Sequence, residues 1–214
     1  MEKLLLVLAP HTDDGELGCG GTVTKLIDQG YRAVSVAFSA AEESVPAGFP
    51  KDILRKEVVQ ATSKLGILPA DCLTLHFSVR KFPEMRQEIL EEMVRLNREY
   101  QPDLVFLPSI RDTHQDHLTI AQEGFRAFKK TNMLAYEAPW NHLEFQNTCF
   151  QVLSDKQLDR KIEALSCYES QKHRSYVTAE FVKSLATVRG AQINQRYAEV
   201  FEAVRMIWKG DNRL

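Results

Sequence analysis

Cysteine is scarce in this sequence, and no two cysteines are close enough to form a motif. The chain has 214 residues and four cysteines, at Cys19, Cys72, Cys149 and Cys167. Their spacing contains no CxxC pair, which argues against a zinc ribbon and against a disulfide scaffold. Reduced cysteines are the rule in the cytoplasm, so a cytoplasmic location is the default expectation.

Long apolar runs are missing as well. The first apolar run, Leu4–Leu8, is soon followed by Pro10 and is too short for a signal peptide. No other stretch approaches the roughly 20 apolar residues that a membrane span needs. We therefore expect no membrane span.

The sequence also lacks an excess of either charge. It has 27 Lys and Arg against 29 Asp and Glu, a formal net charge of −2. This balance creates no strong field for nucleic acid or anionic membranes, so we expect no nucleic-acid partner and a small or neutral substrate. A hydrophobic content of 44% supplies a sizeable core. The length predicts a single domain over residues 1–214, and self-association into a homo-oligomer is compatible with it.

Short apolar runs alternate with helical patterns over the first two thirds of the chain. Such an alternation predicts an α/β fold, a mostly parallel sheet with helices on both faces. The predicted strands are Leu4–Leu8, Arg32–Phe38, Cys72–Phe77, Asp103–Pro108 and Met133–Glu137. The predicted helices between them are Glu16–Gln29, Lys51–Leu65, a segment with an apolar stripe from Met85 to Leu96, and Leu118–Lys130. A helical C-terminal portion is expected to follow, with helices at Asp155–Tyr168, Ala179–Val188 and Tyr197–Trp208.

Unusual polar residues follow two of the predicted strands. "PHTDD" comes directly after the first strand, and "PSIRDTHQDH" comes directly after the Asp103–Pro108 strand. Ligands of open α/β sheets bind beyond the carboxyl ends of the strands. Because parallel strands end at the same edge of the sheet, the two loops can meet there.

A divalent metal ion would explain why histidines and aspartates are gathered in these loops. His11 and Asp14 are three positions apart and can bind one ion together, and either His114 or His117 can complete a set of three ligands. The neighbouring Asp13 is then available as a general base beside the attacking water. The surplus histidine, if protonated, can stabilise an oxyanion or protonate a leaving amine. Asp116 is expected to contact that histidine and keep it cationic.

Purely structural roles are also possible for some of these residues. Asp13 alone fits a helix N-cap, and a His pair with the spacing of His114 and His117 fits a helix surface. Neither role accounts for both loops together. The glycine-rich turn after the first strand does not match G-x-G-x-x-G, and two aspartates would repel a pyrophosphate there, so its glycines predict close helix–sheet packing. The lone histidines His76, His142 and His173 are expected to be structural.

Several segments resemble the PIG-L/LmbE-like N-deacetylase family. "PHTDDGELGCGGT" is similar to its PHPDDxxxGxGGT signature, and "HQDH" resembles its HxDH motif. "RKEVVQATSKLGI", "KIEALSCYESQ" and "RGAQINQRYAEVF" resemble further segments of the family, so the resemblance runs nearly end to end. The chain departs from the family pattern at Thr12, where proline is usual. "HFSVRKFPE" also lacks an aspartate that many sugar-directed members carry.

The resemblance implies a Rossmann-like fold and hydrolysis of an N-acyl amide with one divalent ion, most simply zinc, although iron and cobalt suit the same ligands. By position, it implies that His11, Asp14 and His117 are the metal ligands. It assigns Asp13 as the general base, His114 as the oxyanion-stabilising residue and Arg55 as a contact for sugar hydroxyls. The expected substrate is an N-acetylated sugar, on whose ring Trp140 or Tyr136 could stack. The alternatives are a metal-dependent hydrolase of phosphate esters or non-sugar amides, and an inactive metal-binding scaffold, against which the intact Asp13 argues.

Overall fold

A computed structural model describes residues 3–208 of the chain, and this range forms a seven-stranded sheet flanked by α-helices. The strands are β1 (Lys3–His11), β2 (Tyr31–Ser39), β3 (Cys72–Thr74), β4 (Leu104–Pro108), β5 (Asn132–Tyr136), β6 (Cys149–Leu153) and β7 (Tyr197–Arg205). The helices are α1 (Asp14–Asp28), α2 (Ile53–Leu65), α3 (Arg86–Tyr100), α4 (Gln115–Ala127), α5 (Asp155–Ser166) and α6 (Ala179–Ala191).

The sheet is mostly parallel. Its strand order is β3-β2-β1-β4-β5-β7-β6, and β1 to β5 run in the same direction. β7 is antiparallel to both of its neighbours, β5 and β6. The chain order reverses between β1 and β4, which places the usual ligand crevice of an open α/β sheet beyond the ends of these two strands.

Alternate residues of β1 pack against different helices, which explains why the strand is apolar throughout. Leu6 and Leu8 lie in a cluster with Ile89 and Met93 of α3. Leu5 and Val7 lie in another cluster with Cys19 and Val23 of α1. Helices therefore cover both faces of the sheet, as the sequence predicted, and the strand is buried on each side.

The glycines of α1 permit close packing of this helix against the sheet, as the sequence predicted. A Cβ atom on Gly18 would lie 2.4 Å from Cδ2 of Tyr136 on β5, and a Cβ on Gly21 would lie 2.6 Å from Cδ1 of Leu153 on β6. Real Cβ atoms essentially never approach another heavy atom this closely. Side chains at these positions would push α1 away from β5 and β6.

The C-terminal portion is less helical than the sequence predicted. Tyr197–Trp208 was expected to be a helix, but Tyr197–Arg205 forms strand β7. Strand β6 was not predicted at all. The physical reason is burial: residues 197–202 are all buried between two strands, and tertiary contacts override the helix-forming tendency of their alanines and glutamates.

Most predicted element boundaries shift by a few residues, and three of these shifts lie close to the ends of the strands that carry the polar loops or in the neighbouring strand. β1 continues through Pro10 to His11, β3 is only Cys72–Thr74, and α4 begins at Gln115 instead of Leu118. The earlier start of α4 places His117 in its first turn.

None of the helices within residues 3–208 has the length and apolar character to cross a membrane.

Candidate active site

The two polar loops meet beyond the ends of β1 and β4. These strands pair in parallel, with Val7 opposite Phe106. β1 ends at His11 and α1 begins at Asp14, whereas β4 ends at Pro108 and leads through a loop to α4. The sheet therefore brings the first turns of α1 and α4 to the same place.

Three donor atoms converge at this point. Nδ1 of His11 lies 3.1 Å from Oδ2 of Asp14, and Nε2 of His117 lies 3.2 Å from the same oxygen. Ligand atoms about 2.0–2.1 Å from one zinc ion in tetrahedral geometry are about 3.3 Å apart. The donor types and their separations therefore fit a divalent ion held by two imidazoles and one carboxylate.

A second carboxylate stands behind each histidine. Nε2 of His11 lies 3.0 Å from Oδ2 of Asp116, and Nδ1 of His117 lies 2.7 Å from Oδ2 of Asp112. If each outer nitrogen carries the ring's hydrogen and donates a hydrogen bond to its carboxylate, the inner nitrogen presents a lone pair. Such outer carboxylates fix the tautomer and the orientation of metal-binding histidines.

The charges around His117 favour a cation. Burial opposes a positive charge on this ring, but the carboxylates of Asp14 and Asp112 more than offset it and raise its pKa to about 10. Burial alone would raise the pKa of Asp112, but hydrogen bonds and the His117 charge hold it at about 2. The pKa of Asp14 is likewise well below its usual value, because His117 and His11 together outweigh the cost of burial. The anionic residues thus attract positive charge to the point where the donors converge.

A second, overlapping group could also hold an ion. It consists of His11, His114 and Asp116. In this group Asp116 accepts hydrogen bonds from two backbone N–H groups and Nδ1 of His114 accepts one from the Asp116 backbone, whereas in the first group Asp14 accepts one, from the backbone N–H of His11. The first group therefore fits an ion better.

Asp13 lies beside the convergence point without a structural task of its own. It occupies the N-cap position of α1, but its side chain makes no capping hydrogen bond. It lines the same cavity as the three donors. Burial and the neighbouring charge of Asp14 raise its pKa, while the cation of Arg174 acts in the opposite direction. A carboxylate in this state is suited to accept a proton.

His114 also lines this cavity. It is the N-cap residue of α4, and its Nδ1 accepts a hydrogen bond of 3.1 Å from the backbone N–H of Asp116. Burial and the charges of His117 and His11 lower its pKa. The ring is therefore neutral near pH 7, with Nε2–H as a donor.

The expected pairing of Asp116 with the surplus histidine is corrected by this geometry. The Asp116 carboxylate is hydrogen-bonded to His11 and to the backbone N–H of Arg80 (2.6 Å), not to the ring of His114. Only the backbone of Asp116 contacts that ring. Asp116 thus orients His11 and does not keep His114 cationic.

The cavity around these residues has a volume of about 230 Å³. Besides the polar residues described above, its lining includes Arg80, Arg174, Gln171, Asn141 and Trp140. Trp140 stacks on Tyr176, with ring centroids 4.2 Å apart and planes 9° apart. Tyr136 cannot stack on a ligand, because it is buried and its hydroxyl donates to the Leu8 carbonyl.

Arg55 lies next to this cavity, not in its lining. Its Nε donates to Glu42 at 2.7 Å, and its two Nη atoms donate to the carbonyls of Thr74 and Leu75. Nη2 also lies 2.8 Å from Nδ1 of His76. These four contacts use four of its five N–H groups, and the second N–H of Nη1 has no partner among the described residues.

Several site residues were missed in the sequence. Asp112 stands five positions before His117 in a loop already singled out, so its carboxylate was available as a signal. His142 was expected to be structural, and its Nε2 lies 3.6 Å from Asp112, beyond hydrogen-bond distance. Arg80 and Arg174 have no spacing pattern that would point to the site. The hydroxyl of Tyr168 donates to the Thr12 carbonyl at 2.6 Å and so holds the loop where proline is usual.

Comparisons with known proteins agree with this fold. A probable N-acetyl-alpha-D-glucosaminyl L-malate deacetylase 2 of Bacillus cereus is 24% identical over 229 residues, covering 94% of this chain and 100% of the relative. The N,N'-diacetylchitobiose deacetylase of Pyrococcus horikoshii has a similar structure (TM-score 0.79, 21% identity, 94% of this chain and 83% of that one). GalB of Pseudomonas putida KT2440, a 4-carboxy-2-hydroxymuconate hydratase, also has a similar structure (TM-score 0.74, 23% identity, covering 99% of this chain and 100% of GalB).

The fold alone does not assign a reaction, because deacetylases and a hydratase share it. The family match is more specific. Residues 6–128, which are 123 of the 214 residues, match the family PIG-L, described as GlcNAc-PI de-N-acetylase. This segment runs from Leu6 within β1 to Phe128 just after α4, and it includes every donor atom of the convergence point. The chain belongs to the PIG-L family.

Proposed function

We propose that this protein is a metal-dependent amide hydrolase that removes the acetyl group from an N-acetylated amino sugar. The observation that carries the proposal is the convergence of His11, Asp14 and His117 on one point, with the carboxylate of Asp13 beside it in the same cavity. The names of the relatives support the substrate class, because the Bacillus and Pyrococcus proteins are named as deacetylases of N-acetylated sugars.

The proposed ligands are the inner nitrogens of the two histidines and Oδ2 of Asp14. A divalent ion bound there, most simply zinc, would polarise the acetyl carbonyl and lower the pKa of water at its open position. Asp112 and Asp116 orient the two rings from behind.

The remaining steps belong to side chains of this chain. Asp13 accepts the proton of the water whose oxygen attacks the carbonyl carbon. His114 donates a hydrogen bond from Nε2 to the oxyanion that develops on the carbonyl oxygen. When the carbon–nitrogen bond breaks, Asp13 gives the proton to the leaving amine, and the products are acetate and a free amino sugar.

The neutral state of His114 suits this role. A neutral imidazole with Nδ1 occupied can only donate from Nε2, so it is held ready as a hydrogen-bond donor. The sequence-based hypothesis of a cationic histidine is not needed for oxyanion stabilisation.

The test is acetate release from a panel of N-acetyl sugars, measured with chelator-treated protein and with protein reloaded with Zn²⁺. We expect release only after reloading. His11→Ala, Asp14→Ala and His117→Ala should each lose most of the bound metal by elemental analysis, while His173→Ala, an exposed histidine, should keep it.

Two results would contradict the proposal. Full metal occupancy in all three ligand variants would disprove the site. Hydrolysis of phosphate esters by metal-loaded protein that leaves every N-acetyl sugar intact would assign a different reaction to it.

A further inference from the structure

Two guanidinium groups line the active-site cavity without a close carboxylate partner. Arg80 and Arg174 both belong to its lining. The nearest ion-pair partner of Arg80 is Glu43 at 3.9 Å, and both side chains are more than half exposed. Within residues 3–208, no carboxylate oxygen lies within 4.0 Å of the Arg174 guanidinium.

Most arginines of the described structure have a carboxylate much closer to the guanidinium group than these two do. Many others hold a carboxylate tightly, for example Arg32 with Asp71 at 2.6 Å and Arg111 with Glu202 at 3.0 Å. Arginine is suited to bind carboxylate or phosphate groups, because its planar fork matches their oxygens. Two arginines left without such a partner in one cavity therefore point to an acidic group on the ligand.

Arg174 is held in place but keeps donors free. It donates to the Tyr176 hydroxyl through Nη1, and its guanidinium lies 5.6 Å from the Tyr176 ring centroid. Its Nε is buried and has no hydrogen-bond partner among the described residues. Tyr176 is itself fixed by stacking on Trp140. The guanidinium is thus oriented by two aromatic residues, and the charges of Asp13 and Asp14 act on it only from beyond ion-pair distance.

Arg80 is fixed through its backbone. Its φ is +66°, in the left-handed region that residues with a side chain rarely adopt. Its N–H donates to Oδ2 of Asp116 at 2.6 Å, the oxygen that also contacts His11. Strained backbone positions persist where the surroundings enforce them, and they cluster at functional sites. One buried carboxylate therefore fixes both a proposed metal ligand and the backbone of Arg80.

We propose that Arg80 and Arg174 form an anion-binding subsite, so that the substrate is an N-acetylated sugar bearing a carboxylate or phosphate group. This inference rests on the proposed function, because it places the acidic group in the cavity that holds the acetyl group. Phosphate and carboxylate share the chemistry that the arginines recognise, and the experiment distinguishes them.

The experiment compares four forms of one sugar. The methyl glycoside of N-acetylglucosamine is neutral. Three other derivatives of N-acetylglucosamine are anionic: the 1-phosphate, the 6-phosphate and the carboxymethyl glycoside. The kcat/KM for acetate release is measured on each with Zn²⁺-loaded wild type, Arg80→Gln, Arg174→Gln and the double variant. Arg98→Gln is the matched control, since Arg98 is exposed on α3 and outside the cavity lining.

We expect wild type and Arg98→Gln to prefer at least one anionic form over the neutral one. Hydrogen bonds to charged groups predict a preference of roughly 10- to 100-fold. Each cavity variant should reduce this ratio, and the double variant should bring it close to 1. Arg174→Lys keeps the charge but loses the fork, so it should retain part of the preference.

A binding measurement makes the result independent of catalysis. The amino-sugar products of the same four compounds are titrated by calorimetry into metal-free protein, where a phosphate cannot be held by the ion. Equal affinity for neutral and anionic products, or a preference that persists in the double variant, would overturn the anion subsite. If no compound loses acetate, the proposed function fails, and the calorimetric comparison still decides the subsite.

Discussion

The ring of His11 and the carboxylate of Asp116 are in contact although 105 positions separate them in the sequence, with Nε2 of His11 3.0 Å from Oδ2 of Asp116. Asp116 is fully buried, and His11 is largely buried. The contact joins the end of β1 to the first turn of α4. It orients the His11 ring so that Nδ1 faces Asp14 and His117.

This contact predicts that Asp116→Asn weakens metal binding. The amide keeps the shape of the carboxylate but removes the charge that favours the Nε2–H tautomer of His11. Changes of such outer partners cost about 10- to 100-fold in metal affinity, and competition with a chromogenic chelator measures the loss. Asp155→Asn, at an exposed ion pair with Arg196, is the control and should not change the affinity. An unaltered affinity in Asp116→Asn would show that the contact is not needed.

Asp13→Asn should separate proton transfer from metal binding. The amide cannot accept a proton at neutral pH, and a general base contributes about 10²–10⁴-fold, so kcat should fall by that factor while metal content stays at the wild-type level. Asp28→Asn, at the other end of α1, is the matched control. Loss of metal from Asp13→Asn, or activity within a few fold of wild type, would mean that the two aspartates have other roles.

His114→Ala should keep the metal and lower kcat by about 10²–10³-fold, the usual effect of removing one oxyanion donor. His114→Gln supplies a neutral N–H donor from a similar distance, so it should recover part of the lost rate. Steady-state kinetics and metal analysis of both variants provide the test. If glutamine recovers nothing and the wild-type rate falls as pH rises through the pKa of a cationic histidine, the ring acts as an acid.

A buried ion pair should stabilise the helix that carries the two aspartates. Nζ of Lys161 lies 2.6 Å from Oε1 of Glu199, whose oxygens also accept hydrogen bonds from the backbone of Gly21 and Thr22 on α1. Lys161→Met leaves this carboxylate unpaired, and removal of one partner of a buried pair costs about 3–5 kcal/mol of unfolding free energy. Urea unfolding measures the cost.

The double variant Lys161→Met/Glu199→Gln is the internal check. It removes both charges, so it should regain part of the stability that Lys161→Met loses. A single variant as stable as wild type would show that the pair contributes nothing.

The parallel part of the sheet could be predicted because its strands are recognisable from local sequence patterns. β1 and β4 are apolar runs buried on both faces, and polar residues after them mark the ligand-binding edge. Parallel pairing of β1 with β4 then brought His11 and His117 to one edge, as the sequence predicted. The described structure confirms the mostly parallel sheet and the helices on both faces.

The antiparallel strands could not be found by the same rules. The stretch after Tyr197 has alanines and glutamates at helix-like spacing, and Glu199 and Glu202 would normally be exposed. In the structure both are buried, Glu199 against Lys161 and Glu202 against Ser109 and Arg111. Their partners are distant in sequence, so no local pattern reveals that the segment is a strand.

The position of Asp116 was unpredictable for a related reason. Adjacency in "HQDH" suggested a contact with a neighbouring histidine, but the first turn of α4 directs the carboxylate toward β1. Arg80 and Arg174 come from separate loops, and only the folded chain places them in one cavity. The resemblance implied the chemistry, whereas the orientation of the side chains depended on contacts between distant segments.

The contact between α1 and β7 sets the order in which a nascent chain can finish its active site. Gly21 leaves the ribosome 178 residues before Glu199, the residue that binds its N–H. At about 5–20 residues per second, that interval is about 10–35 s. Until then the N–H of Gly21 lacks this carboxylate, and β6, which is made later than α1, has no β7 to pair with. A fragment limited to residues 6–128 would contain every proposed metal-binding donor, yet it would lack strands β5 to β7 and with them the contact that Glu199 makes to α1.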